Sequence, residues 1–150
     1  MNRALFDAAA AQGIDACVWV ELVGVVSFVL SVDTFHRALD LPLAALPEPQ
    51  PGQPARQRPA HTDDIGAWVP VLSKKSPEAP AVWSEMMRIS NVARGLSLVP
   101  ELASLQTSLI QSQYIPLQKV AVLGDIGRNL SRAQVELVAG RVSAVNECFY

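Results

Sequence analysis

The first forty residues have the spacing and composition of two helices. Residues 2–12 are strong helix formers, and Gly13 follows them as a stop signal. Asp15 can cap a second helix that runs to about Leu39. The same segment contains seven valines, a β-branched residue type that favours a β-strand instead. Its length nevertheless predicts a helix, because strands rarely exceed about ten residues.

Helical spacing continues in the second half of the chain. One helix is predicted over residues 81–94, and another from Pro100, because proline is favoured in the first helical turn. Ser131 and Gln134 have the spacing of a capping box, so a last helix begins near Arg132. The pattern therefore predicts an all-α fold with at least four helices.

Residues 16–32 form an almost wholly apolar segment that contains Glu21. The segment is slightly shorter than the ~20 apolar residues that cross a bilayer, and a carboxylate is costly in lipid. Burial in a core or at a subunit interface is therefore favoured over a membrane anchor. Because two half-domains cannot easily cover so much apolar surface, we also expect a homo-oligomer.

A proline-rich segment, residues 41–60, separates two blocks of the chain and contains six prolines. Proline removes backbone donors and fixes φ, so neither a helix nor a sheet can persist there. An extended linker is predicted, and a ligand for a proline-recognition domain is the alternative.

Charge and cysteine content narrow the function classes. With 12 basic and 14 acidic residues the net charge is −2, which gives no field to attract nucleic acid. The chain has two cysteines, Cys17 and Cys148, and they lie far apart in the sequence. This is not the pattern of a secreted protein with a disulfide framework. The N-terminal residues lack the apolar core of a signal peptide. We therefore expect a cytoplasmic protein with no nucleic-acid partner.

Few residues have the spacing of a chemical site. His36 and His61 are not spaced for metal binding, and residues 124–127 lack the pattern of a phosphate loop, so no metal or cofactor is predicted. Glu136 lies twelve positions before Cys148. On one straight helix their side chains would be about 18 Å apart, so they meet only if the chain turns near Asn146. Taken alone, Cys148 is interpreted as a buried structural thiol.

The last sixteen residues, VELVAGRVSAVNECFY, resemble the signature of the alkylhydroperoxidase D-like (carboxymuconolactone decarboxylase-like) superfamily. In that family, a helix reading roughly Glu-Leu-(Val/Ile)-Ala-x-Arg-Val-Ser-x-x-Asn-x-Cys-x-Tyr runs into a second cysteine, and a histidine follows one turn later. The matching residues here are Glu136, Arg141, Val142, Ser143, Asn146, Cys148 and Tyr150. Residues 89–100 are similar to the stretch before that signature, and residues 21–39 to a later helix.

The resemblance implies an incomplete helical bundle of the alkylhydroperoxidase D-like type with a Pro-rich linker. Residues 1–41 resemble the C-terminal part of one such domain, and residues 42–61 form the linker. Residues 62–150 resemble the N-terminal part of a second domain, which ends inside the Cys-x-x-Cys motif. The order of the two parts is thus the reverse of that within one family domain.

The same resemblance implies a peroxide substrate and a thiol reductant. In members with both cysteines, one thiolate attacks the peroxide and the other closes a disulfide that exchange with a partner thiol reopens. By resemblance, Cys148 is the first cysteine and Glu136 joins a proton relay. A carboxymuconolactone decarboxylase-type enzyme and a non-catalytic helical oligomerisation or interaction module are the alternatives.

The family's second redox residue would follow Tyr150 directly, so these 150 residues are expected to give little or no peroxide turnover. One hypothesis is a UGA codon at that position, translated as selenocysteine, because a selenol ionises more readily than a thiol. A fragmentary gene sequence, a deliberately chosen chain end and a nonsense mutation are the competing explanations.

Overall fold

The structure is a computed structural model that describes residues 3–52, 57–83, 90–120 and 122–148. Within them it has helices α1 (Arg3–Ala11), α2 (Ala16–Ala38), α3 (Ala79–Val82), α4 (Asn91–Arg94), α5 (Pro100–Gln113) and α6 (Arg132–Val145), a 3-10 turn (Leu117–Lys119) and strands β1 (Thr62–Asp63) and β2 (Val71–Leu72). The all-α class predicted from the sequence is confirmed. The family-specific bundle stays a prediction.

Backbone contacts divide the chain into two units, Met1–Gln106 and Thr107–Tyr150, and the boundary falls within α5. The sequence-based domain boundaries at residues 41 and 61 remain predictions. Between the two predicted blocks, residues 41–52 and 57–59 contain no helix or strand, as their proline content predicts. Residues 41–52 are also exposed.

Helix α2 starts where the sequence predicts, because Asp15 caps it. The Asp15 carboxylate accepts hydrogen bonds from the backbone N–H groups of Cys17 (2.8 Å) and Val18 (3.0 Å). Before this cap, Gly13 has a φ of +85°, a left-handed conformation that glycine adopts without a steric cost and that ends α1. The predicted stop and start signals are both confirmed.

One side of α2 lies in the core of the first unit. Cys17 and Val20 are buried there against three residues that follow α4, namely Leu96, Leu98 and Val99. Helix α5 also approaches α2 closely at Gly24, where an added Cβ would lie 2.9 Å from Cδ1 of Leu102. The absence of a side chain at Gly24 therefore allows this helix contact.

The other side of α2 is exposed within the chain, and the expected burial in a core or at a subunit interface stays a prediction for that side. The exposed fractions of Leu22, Val25, Val26 and Leu30 lie between 50% and 57%. Among the described residues, α2 is the helix that is long and apolar enough to cross a membrane, and only 17% of its apolar window is buried. Length and composition alone do not separate a membrane span from an interface helix.

Strands β1 and β2 form a short antiparallel ladder that the sequence did not reveal. Thr62 pairs with Leu72 and Asp63 with Val71. The buried hydroxyl of Ser97 accepts a 3.0 Å hydrogen bond from the backbone N–H of Leu72, so the ladder is tied to the core segment. Each strand has two residues, so the ladder is a local pairing of two short segments and not a central sheet.

The prediction of a single helix over residues 81–94 is wrong. Helix α3 ends at Val82, since Trp83 has extended dihedral angles (φ −65°, ψ 121°). Ser90 is extended as well (φ −131°, ψ 122°), and its hydroxyl caps the separate helix α4 by accepting from the N–H of Ala93. Residues 84–89, which include most of the predicted apolar side, lie outside the described residues.

Candidate functional site

Helix α6 carries the sequence-predicted site residue Glu136, and a capping box fixes where the helix begins. The Ser131 hydroxyl accepts from the N–H of Gln134 at 3.3 Å, and the Gln134 side chain accepts from the N–H of Ser131 at 2.8 Å. These reciprocal bonds confirm the predicted start. Glu136 then falls one turn after Arg132, so the two side chains share a face of α6.

The carboxylate of Glu136 is held from two directions. The hydroxyl of Tyr114, just beyond α5, donates to Oε2 of Glu136 at 2.5 Å. On the other oxygen, Nε of Arg132 donates to Oε1 at 2.7 Å. Both bonds are charge-assisted and both oxygens are used, so the carboxylate has a fixed orientation.

Arg132 also fixes the chain segment that leads into α6. Its Nη1 donates to the carbonyl oxygens of Lys119 (3.0 Å), Val120 (3.2 Å) and Val122 (3.1 Å). Its side chain is only 16% exposed, compared with 41% for Glu136. One guanidinium therefore joins the 3-10 turn, the loop after it and the carboxylate, which suits the rigid multi-donor fork of arginine.

These contacts shift two pKa values in opposite directions. The hydrogen bond from Tyr114, supported by those from Arg132, holds the pKa of the Glu136 carboxyl below its usual range. Burial, followed by the bond to the Glu136 anion, raises the pKa of Tyr114 to about 12. At neutral pH the pair is thus a carboxylate anion that accepts from a protonated phenol.

Tyr114 also lines an open cleft of about 780 Å³ in the second unit. The apolar part of its wall consists of Leu130, Val135, Val138, Ala139 and Val142. At the rim, Nη2 of Arg128 donates to the carbonyl oxygens of Gln111 (2.7 Å) and Ser112 (3.3 Å). The cleft can accept a small, mostly apolar molecule with a polar end.

Cys148 is exposed, so its interpretation as a buried structural thiol is wrong. The helix ends before it, at Val145, and Glu147 has a positive φ of 51°, which turns the chain away from the helix axis. The backbone N–H of Cys148 donates to the carbonyl of Ser143, which lines the cleft, at 2.9 Å. The chain therefore turns close to Asn146. A turn at this place was the condition under which the side chains of Glu136 and Cys148 could meet.

Glu136 and Cys148 are not hydrogen-bonded to each other in the part of the chain that the structure describes. The partners of the Glu136 side chain are Tyr114 and Arg132. The other cysteine, Cys17, is 1% exposed in the first unit, and burial is the main reason that its pKa is raised. Cys148 is therefore the thiol that a solute can reach.

Sequence reasoning missed Tyr114 and Arg132. The spacing of Arg132 and Glu136 by four positions was a visible signal for an ion pair on one helix face. Tyr114 lies 22 positions before Glu136, and no local pattern indicates such a contact.

No protein-family model, no curated protein and no solved structure matches the chain. Among the described residues, no group of three or more His, Cys, Asp or Glu side chains is arranged to hold a metal ion.

Proposed function

We propose that the second unit is part of a thiol peroxidase of the alkylhydroperoxidase D-like type. In this proposal Cys148 attacks the peroxide and Glu136 takes part in proton transfer. The observation that supports it best is the Tyr114–Glu136–Arg132 cluster. It keeps a carboxylate ionised and oriented on the helix that leads to an exposed cysteine.

The first chemical step oxidises one sulfur atom and reduces one peroxide. The Cys148 thiolate attacks the nearer peroxide oxygen, an S–O bond forms and the O–O bond breaks. The sulfur becomes a sulfenic acid, and the leaving oxygen takes a proton to give an alcohol or water. By resemblance, the second redox cysteine of the family then attacks the sulfenic sulfur, releases water and closes a disulfide, which two thiols of the reductant reopen by exchange.

The proposed proton transfer uses the cleft wall. Tyr114 contacts Glu136 at one part of that wall, and Ser143 contacts the backbone of Cys148 at another. The pKa of Glu136 is lowered, so the carboxylate is ionised at the start and accepts the proton that the Cys148 thiol releases when it ionises. Tyr114, protonated at neutral pH, gives its phenol proton to the leaving oxygen and regains one from Glu136.

Trapping of the sulfenic acid tests this function directly. The chain is treated with one equivalent of cumene hydroperoxide in the presence of dimedone, and the adduct is located by mass spectrometry. We expect one adduct, at Cys148, that forms faster than with free cysteine and disappears in Cys148→Ser. Glu136→Gln should slow its formation about 10²-fold or more, the usual range for general acid–base groups.

A thiol that reacts no faster than free cysteine, in the wild type and in Glu136→Gln alike, contradicts the proposal.

Catalytic turnover is a separate measurement. Because Cys17 is buried, we expect these 150 residues to consume about one equivalent of peroxide and little more with a dithiol reductant. Robust turnover that Cys148→Ser abolishes would contradict that expectation.

The exposed side of α2 favours a second candidate function, a non-catalytic interaction module. Four large apolar side chains at helical spacing are uncovered there. If this candidate is right, Cys148→Ser and Glu136→Gln leave the assembly state unchanged and the peroxide reactivity of the wild type does not exceed that of a free thiol.

A further inference from the structure

The open cleft of the second unit has one continuous apolar strip along helix α6. The strip consists of Val135, Val138, Ala139 and Val142, which occupy positions i, i+3, i+4 and i+7 of the helix. With Ser143 at its end, it extends for about 12 Å. Val138 and Val142 are 59% and 54% exposed, so the α6 strip is open to a ligand.

Arg128 is the one charged residue among the described residues that line this cleft. Its Nη2 donates to the carbonyl oxygens of Gln111 and Ser112 near the end of α5. In the described part of the chain, Nε and Nη1 of Arg128 have no hydrogen-bond partner. The guanidinium is therefore held in place on one side, while its other N–H groups stay available to a planar anion.

Acidic side chains do not neutralise this guanidinium. The second unit has three of them, Asp125, Glu136 and Glu147, and none lines the cleft. Asp125 accepts from the backbone N–H of Gly127 at 2.9 Å, and Glu136 is paired with Arg132 at 2.7 Å. Across the described residues, none of the three forms an ion pair with the guanidinium in the cleft. The cleft therefore favours a ligand that has one negative charge at one end.

We propose that this cleft binds a monocarboxylic acid with a medium-length aliphatic chain. Arg128 pairs with the carboxylate, because the guanidinium fork matches two carboxylate oxygens, and the α6 strip covers the aliphatic chain. The cleft volume of about 780 Å³ lies within the usual range for small-molecule sites. One guanidinium matches a monoanion better than it matches a phosphate dianion.

A substrate class follows from this site, and that step rests on the function proposed above. Tyr114, which contacts Glu136, lines the same cleft as Arg128. The peroxide reduced at Cys148 is then a hydroperoxide on the aliphatic chain of such an acid. Arg128 binds the carboxylate and takes no part in the redox step.

Equilibrium binding of decanoate and of decanol to the 150-residue chain tests the site. Decanoate is kept below the concentration at which it forms micelles. We expect it to bind at least about 10-fold more tightly than decanol, the effect of one charge-assisted pair, and high salt should reduce this preference. Arg128→Gln should remove the preference and change decanol binding little. Arg141→Gln, at an exposed arginine of α6 outside the cleft, should retain it.

A second pair of variants tests the apolar wall. Val138→Asp places a carboxylate in the α6 strip, so it should weaken the binding of both ligands at least about 10-fold and that of decanoate more. Leu137→Asp, at the neighbouring position, which is 75% exposed and outside the cleft, should change neither. Equal effects of the two substitutions would refute the cleft as the site.

Other results would also overturn the proposal. Equal affinity of the wild type for decanoate and decanol would exclude recognition of the carboxylate. Equal loss of both ligands in Arg128→Gln would mean that Arg128 only holds the end of α5. A dimer in sedimentation equilibrium that Val138→Asp dissociates and decanoate does not would show that a second chain covers the α6 strip.

Dimedone trapping at Cys148 separates this inference from the proposed function. If decanoate binds but the thiol reacts no faster than free cysteine, the site stands and the peroxidase function fails. If cumene hydroperoxide oxidises Cys148 rapidly but decanoate does not bind, the function stands and this inference fails. When both hold, decanoate should slow the labelling of Cys148, and Arg128→Gln should lessen that inhibition. Labelling that decanoate does not slow would contradict the substrate class.

Discussion

Helices α2 and α6 both expose many apolar side chains, but different forces hold them in place. α2 has Cys17 and Val20 in an apolar core, and Asp15 caps its first turn. No residue of α6 is buried, and Leu137 is 75% exposed. The contacts that fix α6 are polar, namely its capping box, the bonds of Arg132 to three carbonyl oxygens and the bond from Tyr114 to Glu136.

The comparison shows that apolar content does not indicate how a helix is held. The apolar segment of α2 predicts burial in a core or at a subunit interface, and within the chain only one of its sides is covered. α6 depends on a few hydrogen bonds to a charged group, each worth about 1.5–3 kcal/mol at most, and on its cap. α2 depends on side-chain burial, worth about 1.5–3 kcal/mol for each fully buried aliphatic residue.

The largest effect is expected in the core beneath α2. Leu98 is fully buried, so Leu98→Ala should lower the free energy of unfolding of the first unit by about 2–5 kcal/mol. Hydrogen exchange should accelerate in α2 and not in α6. Leu105→Ala, the exposed control, should change stability by less than about 0.5 kcal/mol. Equal effects of the two substitutions would show that the apolar core does not hold α2.

The next effect concerns the guanidinium that holds α6. Arg132→Ala removes the bonds to Glu136 and to the carbonyl oxygens of Lys119, Val120 and Val122, and should cost about 1–3 kcal/mol. Amide exchange in α6 should rise accordingly while α2 stays protected. Arg141→Ala, an exposed arginine of the same helix, is the control and should have little effect. If amide hydrogen exchange in α6 is unchanged by Arg132→Ala, the polar contacts do not hold α6 in place.

A smaller effect separates the two helix caps. Ser131→Ala breaks the capping box of α6 and should cost about 1 kcal/mol, whereas Ser131→Asn should retain most of it. Asp15→Ala removes a similar cap from α2. The first turn of α6 should then fray much more than that of α2, because the core holds α2. Similar fraying of both helices would contradict the view that the apolar core holds α2 while polar contacts hold α6.

The smallest effect is a titration of Tyr114, followed by phenolate absorbance. Its pKa of about 12 lies above the ordinary value of about 10. The raised pKa contributes stability that is fully present below pH about 10 and is lost as pH rises through 12. Tyr114→Phe should abolish the late step, and Glu136→Gln should shift it to lower pH. A wild-type protein without that late step would contradict the Tyr114–Glu136 bond.

Local signals in the sequence predict the helix ends well. Asp15 before α2 and the Ser131–Gln134 box before α6 act within one turn, so the chain pattern contains the whole interaction. The break at Trp83 and Ser90 was missed, because apolar spacing across residues 81–94 conceals a change of backbone conformation. The β1–β2 ladder was missed because two-residue strands have no period to detect.

The candidate site was predictable only in part. Glu136 and Cys148 were named from the resemblance, but the hydroxyl of Tyr114 reaches Glu136 through the arrangement of the second unit. Exposure of Cys148 depends on the turn at Glu147, where a residue other than glycine has a positive φ. Neither feature follows from residue type alone, since both depend on where separate segments are placed.

The division into two units has a consequence for the order in which the protein folds. In the second unit, Tyr114 and Glu136 are separated by 22 positions, and the carbonyl partners of Arg132 are nearer still. In the first unit, Cys17 and Val20 pack against Leu98, about 80 positions further on. Loops of that length close slowly, so the second unit should reach its native contacts first.

During synthesis, α2 leaves the ribosome long before Leu98 exists to cover its inner side. At about 5–20 residues per second this interval lasts several seconds, and both apolar sides of the helix are then open to solvent. The nascent chain should therefore be a client of chaperones that shield apolar helices. Expression without such chaperones should yield aggregated protein whose exposed segment is α2.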